Sequence, residues 1–335
     1  MFQATDTREL IRLEILGHCL CGTYHRPPED SSASWTGRTG AGHPAILFLN
    51  SLALPRAATG DSAVYWADSF ARRGYPTFRF DLPGLGDSDG QTSTDLLDFI
   101  NSGGFAPAAV GIAKELVERG GYSGVVMLGH CAGAVTANYA AAAFRKCKGM
   151  ILLDPYFHLP VAKRPERREK LSDWARRSAL GRPLSNLFDR LKDLRLFLRG
   201  SALPGNANGR LLSKWKEVSA AGLPILVFKA PGIKAQGSKP RVGEFDYLEY
   251  AVKLAGRKSD LVMKSIEEAD HSFANRAGRE AVREVAEGWL TSHFPLTNSA
   301  ASAKANPLPS AGNKRSGSTK ARLAPPNPDC ALEGR

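Results

Sequence analysis

A cysteine between two glycines is the residue of this chain most able to do covalent chemistry. Cys131 lies in Gly129-His-Cys-Ala-Gly133, after an apolar run from Gly124 and before an alanine-rich stretch, Ala134 to Arg145. Glycines two residues before and after it permit a tight strand-turn-helix connection whose central residue projects outward. The helix start presents free N–H groups and its positive dipole end to the sulfur, which favours the nucleophilic thiolate. The pattern therefore predicts a nucleophilic thiol.

A nucleophilic thiol needs a base, and one of the seven histidines is suitably placed. His271 lies in Glu268-Ala-Asp-His-Ser-Phe-Ala274, between the last predicted strand and the last predicted helix. Loops at the carboxyl ends of parallel strands converge on one edge of a sheet, so we expect His271 to lie near Cys131 and act as the base. His130, inside the turn, is expected to point away from its tip.

Three carboxylates are candidates for the group that orients the base. Asp154 directly follows the strand after the elbow and is the first choice. Glu244 and Asp246 come later in the loop after the penultimate strand and are the alternatives, and a Cys–His dyad without an acid is also possible. Asp270 adjoins the base in an extended loop and is expected to face elsewhere.

An acyl-transfer site also needs N–H donors for the oxyanion that develops on the substrate. We expect the first from Ala132, at the start of the elbow helix. The second is expected from Leu52, in the loop after the apolar run Ala45–Leu49, with Ser51 as the alternative. The glycines of Asp81–Gly90 resemble a phosphate-binding pattern only weakly, and a tight loop at a strand end is favoured.

These residues need a scaffold that brings distant loops together, and the pattern of elements provides one. Strands and helices alternate from residue 44 to residue 154, and strand patterns return at Leu223–Lys229 and Leu261–Ile266. This alternation predicts an α/β protein with a doubly wound, mostly parallel sheet and helices on both faces. We expect residues 1–156 and 221–295 to form this core.

Two segments depart from the alternating pattern. Residues 157–220 have helical periodicity on a basic background and are expected to form an inserted helical cap. Residues 296–335 are rich in Ala, Ser, Pro and Lys, and we expect a disordered tail because few large apolar side chains are present to offset the ordering entropy.

The net charge of +12 is concentrated in residues 163–199 and in the tail. A solvated helical face and a solubilising tail account for this distribution, and attraction of anionic or carrier-bound acyl substrates is the alternative.

No nucleic-acid motif accompanies the charge, no apolar run reaches the length of a membrane span, and the five cysteines have no zinc-ligand spacing. We therefore expect no metal or organic cofactor and no nucleic-acid partner. The polar N-terminus favours a cytoplasmic location, and the oligomeric state is left open.

The order of these motifs resembles that of the α/β-hydrolase superfamily. A strand, Gly129-X-Cys-X-Gly133, a helix, an acid and then Asp270-His271 follow one another, and the resemblance covers about residues 8–294. Phe78–Gly90 is similar to a segment of the serine-aminopeptidase-like branch. The turn Leu152–Tyr156 with its basic insert resembles bacterial hydrolases associated with exosortase and polysaccharide loci. A cysteine nucleophile is similar to that of dienelactone hydrolases.

Two positions depart from the pattern of that superfamily. Asn50-Ser51 stands where the usual oxyanion loop has His-Gly, and the usual position of the acid is vacant. The resemblance implies a hydrolase of esters, thioesters or lactones that acts through an acyl-enzyme on Cys131. An acyltransferase using the same residues, or a non-catalytic binding protein on a hydrolase scaffold, is the alternative.

Overall fold

The computed structural model describes residues 7–28, 35–36, 42–159, 203–231, 245–257 and 259–296. Within these residues the chain forms eight strands and seven α-helices. The strands are β1 (Arg8–Ile15), β2 (His18–His25), β3 (Ala45–Leu49), β4 (Thr77–Phe80), β5 (Val125–His130), β6 (Cys147–Leu153), β7 (Ile225–Lys229) and β8 (Leu261–Ser265). The helices are α1 (Ser62–Arg72), α2 (Leu96–Asn101), α3 (Ala106–Glu118), α4 (Ala132–Ala143), α5 (Gly209–Ala220), α6 (Tyr247–Ala255) and α7 (Arg276–His293).

All eight strands belong to one mostly parallel sheet. Its strand order is β1-β2-β4-β3-β5-β6-β7-β8. The strands β3 to β8 run parallel to one another, while β1 and β2 form an antiparallel hairpin whose β2 pairs antiparallel with β4. The predicted fold class is confirmed. The short helices α2 and α6 had no separate prediction, because six to nine residues carry too little periodicity to distinguish a helix from a loop.

The sheet has helices on both faces because its central strands are apolar on both sides. In β3, Ala45, Leu47 and Leu49 pack with α3, α4 and α5 on one face. Ile46 and Phe48 pack on the other face with α1 and α7. A strand covered on both faces reads as a continuous apolar run, which is the pattern that identified β3 in the sequence.

The strand order reverses between β3 and β5. The chain leaves β3 towards β4 on one side, whereas β5 and the later strands lie on the other side. A crevice at the carboxyl edge of the sheet is expected at such a switch point. The loop that begins at Asn50 leaves β3 there, and Cys131 leaves β5 beside it.

Helix α5 packs in the core against α4 and α6, although we expected it to be part of the cap. Its Trp215 is fully buried and donates its indole N–H to the carbonyl oxygen of Ala251 at 2.7 Å. The core layer therefore includes residues 209–220. Most of the expected cap, residues 160–202, lies outside the described residues. The ends of that interval are bridged, since the Leu159 N–H donates to the carbonyl of Asn206 at 2.7 Å.

A buried carboxylate ties the loop after β3 to the end of β4. Asp81 is fully buried and accepts hydrogen bonds from the Arg56 amide at 2.6 Å and from Asn50 Nδ2 at 3.2 Å. The guanidinium of Arg56 forms an ion pair with the same carboxylate and also contacts Asp87. Asn50 Oδ1 in turn accepts the Leu82 N–H at 2.9 Å. This network holds the loop that borders the crevice.

We expect Asp81→Asn to lower the free energy of unfolding by about 3 kcal/mol. An amide cannot pair with Arg56, and a buried charge that loses its partner is strongly destabilising. The matched control is Asp87→Asn, because Asp87 pairs with the same guanidinium but its side chain is 70% exposed. Asp87→Asn should lower the free energy of unfolding by less than about 1 kcal/mol. Urea unfolding of both variants measures the difference, and equal losses would contradict the assignment.

Candidate active site

The elbow around Cys131 is strained and tightly packed. Cys131 has φ 51° and ψ −112°, a backbone conformation that non-glycine residues seldom adopt. A Cβ on Gly129 would lie 2.3 Å from the backbone of Gly133. A Cβ on Gly133 would lie 2.6 Å from the carbonyl oxygen of Leu49. Both glycines are therefore required for the start of α4 to approach β5 and the end of β3 this closely.

The structure brings Cys131, His271 and Asp154 together. His271 Nδ1 lies 2.5 Å from Asp154 Oδ2, which leaves Nε2 as the ring nitrogen for the hydrogen bond to Cys131. The hydrogen bond that His271 donates to Asp154, assisted by the one to Cys131, raises the pKa of His271 from 6.5 to about 10. The imidazole therefore has an orienting acid on one side and the sulfur on the other, which is the arrangement of a nucleophile–base–acid triad.

Neighbouring strands hold the acid and the nucleophile side by side. The Cys131 N–H donates to the carbonyl oxygen of Leu153 at 2.9 Å, and Asp154 follows Leu153. The Asp154 N–H donates to the carbonyl of Phe228 on β7 at 2.8 Å, and Asp154 has φ 46°. The turn after β6 thus directs Asp154 out of the sheet beside the elbow. This explains how an acid after β6 reaches the base although the usual position is vacant.

The other carboxylates considered are engaged elsewhere or are not described. Asp246 caps α6 and forms an ion pair with Lys229 at 2.8 Å. Although partial burial opposes ionisation, the Lys229 interaction lowers the pKa of Asp246. Asp270 accepts hydrogen bonds from the N–H and hydroxyl of Ser272, at 3.0 and 2.6 Å. Glu244 lies outside the described residues.

The two expected oxyanion donors lie at the ends of adjacent strands. Ala132 is the first residue of α4, and Leu52 follows β3 with φ 50° and a partly exposed side chain. Among the described residues, neither backbone N–H donates to a protein acceptor. The close approach of Gly133 to the carbonyls of Leu49 and Asn50 holds the two segments together. Ser51, the alternative donor, directly precedes Leu52 and is buried.

His130 is a part of the site that the sequence did not identify. We expected it to point away from the tip of the turn, but its Nε2–H donates to the carbonyl oxygen of His271 at 2.6 Å. The two rings lie 5.0 Å apart. Burial, together with the charge of His271, lowers the pKa of His130 to about 4, so it stays neutral. The contact joins the elbow to the base loop across 141 residues of sequence, and no local pattern signals it.

Two further observations apply only to the part of the chain that is described. No group of three His, Cys, Asp or Glu side chains there is arranged to hold a metal ion. None of its helices combines the length and the apolar character that crossing a membrane requires.

The raised pKa of His271 predicts how stability depends on pH. Because the folded-state pKa, about 10, lies above the ordinary value of 6.5, the charged imidazole stabilises the fold fully below pH 6.5. This contribution is lost as the pH rises through about 10. Near pH 6 the free energy of unfolding of the wild type should exceed that of His271→Gln by about 1 kcal/mol. The difference is small because solvent screens the half-exposed His271–Asp154 pair. Urea unfolding at pH 6, 8 and 10 tests this, and an excess that grows with pH would contradict it.

We expect His130→Phe to misalign the base without unfolding the protein. Phenylalanine keeps the ring packing against Phe273, 6.1 Å away, but cannot donate to the His271 carbonyl. Alkylation of Cys131 by iodoacetamide at pH 7 should slow by about tenfold, because the imidazole no longer holds the thiolate in place. His293→Phe, on the far end of α7, is the control and should leave the alkylation rate unchanged. If Cys131 is alkylated at the same rate in His130→Phe and in the wild type, His130 does not position the base.

Comparison with known proteins agrees with this architecture. The family model described as "alpha/beta hydrolase fold" matches residues 44–241. None of the curated sequences compared with this chain is significantly similar to it. Among solved structures, the α/β-hydrolase GrgF from Penicillium sp. sh18 superposes with a TM-score of 0.54 at 14% identity, covering 86% of this chain and 99% of that chain.

Two esterase structures are similar to a comparable degree. An esterase from Pyrococcus furiosus has a TM-score of 0.53 at 11% identity, with coverage of 86% of this chain and 91% of that chain. Est1E from Butyrivibrio proteoclasticus, solved with ferulic acid bound, has a TM-score of 0.50 at 14% identity and coverage of 84% and 99%. Identities this low establish a common fold and no shared substrate. The family match extends over more than half of the sequence, and the chain therefore belongs to the α/β-hydrolase family, with the enzyme class of a hydrolase.

Proposed function

We propose that this chain is a cysteine-nucleophile hydrolase that cleaves esters, thioesters or lactones through an acyl-enzyme on Cys131. The observation that carries the proposal is the position of His271, which is hydrogen-bonded to Asp154 on one side and to Cys131 on the other. A base that contacts both a nucleophile and an orienting acid is the arrangement that covalent acyl transfer needs.

In the acylation step, Cys131 Sγ attacks the carbonyl carbon and a C–S bond forms. The electron pair of the C=O bond moves onto oxygen, where the N–H groups of Ala132 and Leu52 stabilise the negative charge. Collapse of this intermediate breaks the bond to the leaving group, which takes the proton held on His271 Nε2. In the second step His271 accepts a proton from water, the hydroxide attacks the acyl-enzyme, and the carboxylic acid and free Cys131 are released.

The thiol favours thioesters and activated esters over amides. A thiolate is weakly basic and therefore a good leaving group, so a tetrahedral intermediate formed from an amide expels sulfur again unless the amine is protonated. Thiols and activated alcohols leave readily without such help. The basic segment 163–199 and the net charge of +12 favour an anionic or carrier-bound acyl substrate.

We also propose a narrower family position for this hydrolase. The segment Phe78–Gly90 and the turn Leu152–Tyr156 with its basic insert support a place in the serine-aminopeptidase-like branch. Within that branch the same features favour the hydrolases associated with exosortase loci.

Acylation of a single residue tests the proposal directly. Incubation with a panel of activated acyl esters and thioesters should add one acyl mass to the protein, which peptide mapping should assign to Cys131. Cys131→Ala should abolish both the adduct and turnover. His271→Ala should slow acylation at pH 7 by at least about a hundredfold, because the thiolate loses its charged partner and the leaving group loses its proton donor, and general acid–base assistance contributes roughly that much or more.

Other thiols of the chain provide the controls. Cys21→Ala removes a half-buried thiol outside the site and should leave acylation unchanged. Cys147 is buried, and burial raises the pKa of its thiol to about 12, so it should not react. Full turnover by Cys131→Ala would reject the mechanism. Transfer of the acyl group to an added alcohol or amine in preference to water would identify an acyltransferase instead, and no adduct with any substrate would favour a binding protein.

A further inference from the structure

Tyr156 places an unpartnered hydroxyl beside the nucleophile. It lies two residues after Asp154, where the chain leaves β6 at the carboxyl edge of the sheet. Its Oη is buried, and no described residue forms a hydrogen bond with it. Cys131 is close enough for its charge to act on the phenol group. The hydroxyl is therefore shielded from water at the carboxyl edge of the sheet, within electrostatic reach of the sulfur that the proposed function makes reactive.

Two other tyrosines of the described chain have hydroxyls that are paired, in contrast to Tyr156. Tyr75 Oη donates to the carbonyl oxygen of Phe294 at 2.9 Å, and Tyr139 Oη donates to that of Asn101 at 2.8 Å. Leaving a buried hydroxyl without a partner costs roughly 1–3 kcal/mol. A tyrosine that carries this cost beside a nucleophile is explained if a bound substrate provides the missing partner.

The phenol of Tyr156 acts as a hydrogen-bond donor. Burial, and to a smaller extent the negative charge of Cys131, raise its pKa to about 12. The hydroxyl therefore keeps its proton at neutral pH and can donate a hydrogen bond to an acceptor.

The position of Tyr156 indicates which part of a substrate it would contact. Of the expected oxyanion donors, Ala132 follows β5 itself and Leu52 follows β3 on one side of β5, whereas Tyr156 follows β6 on the opposite side. Asp154 and His271 also come from that side, at the ends of β6 and β8. Because His271 delivers its proton to the leaving group, the leaving group must face this side of the nucleophile.

We propose that Tyr156 is a substrate-binding residue whose hydroxyl donates a hydrogen bond to an acceptor atom in the leaving group of the bound ester or thioester. The substrate class that fits is an acyl group on a thiol or alcohol that carries a carbonyl or carboxylate oxygen a few bonds from the scissile bond. An amide-bearing thiol of the kind found in acyl carriers belongs to this class. The inference rests on the proposed function, since it requires an acyl substrate at Cys131.

A pair of thioesters that differ in the leaving group tests the inference. S-acetyl-N-acetylcysteamine has an amide carbonyl in its leaving group, whereas S-butyl thioacetate has none and transfers the same acetyl group. For Tyr156→Phe, kcat/KM should fall roughly three- to tenfold with the amide-bearing thioester, the value of one lost neutral hydrogen bond. It should stay within about twofold of wild type with the butyl thioester. The melting temperature should not fall, because the removed hydroxyl has no partner.

The matched control is Tyr75→Phe, which removes a buried hydroxyl that is paired with Phe294. It should lower the melting temperature and leave the ratio of the two kcat/KM values unchanged. If the ratio of the two kcat/KM values is the same in Tyr156→Phe as in the wild type, and Cys131 is still acylated, this inference alone is overturned. Absence of acylation of the wild type by both thioesters would reject the proposed function and this inference with it.

Discussion

One backbone hydrogen bond organises the site, the one from the Cys131 N–H to the carbonyl oxygen of Leu153 at 2.9 Å. It continues the pairing of β5 with β6 by one residue beyond His130 and Leu153, the last pair in register. The elbow therefore begins where the sheet ends, and the next residue of β6 is Asp154. The register of two strands is set by the burial of their side chains on both faces. The core packing therefore fixes the position of Cys131 relative to Asp154 along the strand direction.

The strain at the elbow is maintained by close contacts that leave no room for relaxation. Cys131 occupies a rare backbone conformation, and Asp154, with φ 46°, occupies another one on the adjacent strand. Each costs of order 1–3 kcal/mol and persists only where the surroundings over-determine the backbone. Here the surroundings are the glycine contacts of Gly129 and Gly133 and the hydrogen bonds from both residues to neighbouring strands. Both of these strained residues take part in the proposed chemistry.

Two histidines share the site in different protonation states. His271 is held as an imidazolium by Asp154 and Cys131, and the buried His130 beside it stays neutral. Rings 5.0 Å apart do not both carry a charge in a partly buried site, because their repulsion adds to the desolvation cost. This division of roles leaves His130 as a donor to the base loop. On the other side of the crevice, the buried Asp81–Arg56 pair holds the loop that contains Leu52.

The sequence by itself determined the parallel sheet and predicted Cys131, His271 and Asp154 at its carboxyl edge, with Glu244 and Asp246 left open as alternatives to Asp154. Apolar runs, glycine spacing and the alternation of elements are local signals, and the topology of such sheets then brings strand ends together. Tertiary structure alone decided that Asp246 is engaged by Lys229, that α5 packs in the core, and that His130 contacts the base loop. It also decided that the hydroxyl of Tyr156 is buried without a partner. Each of these depends on side-chain contacts between segments far apart in the chain, and one-dimensional spacing does not encode the direction in which such side chains point.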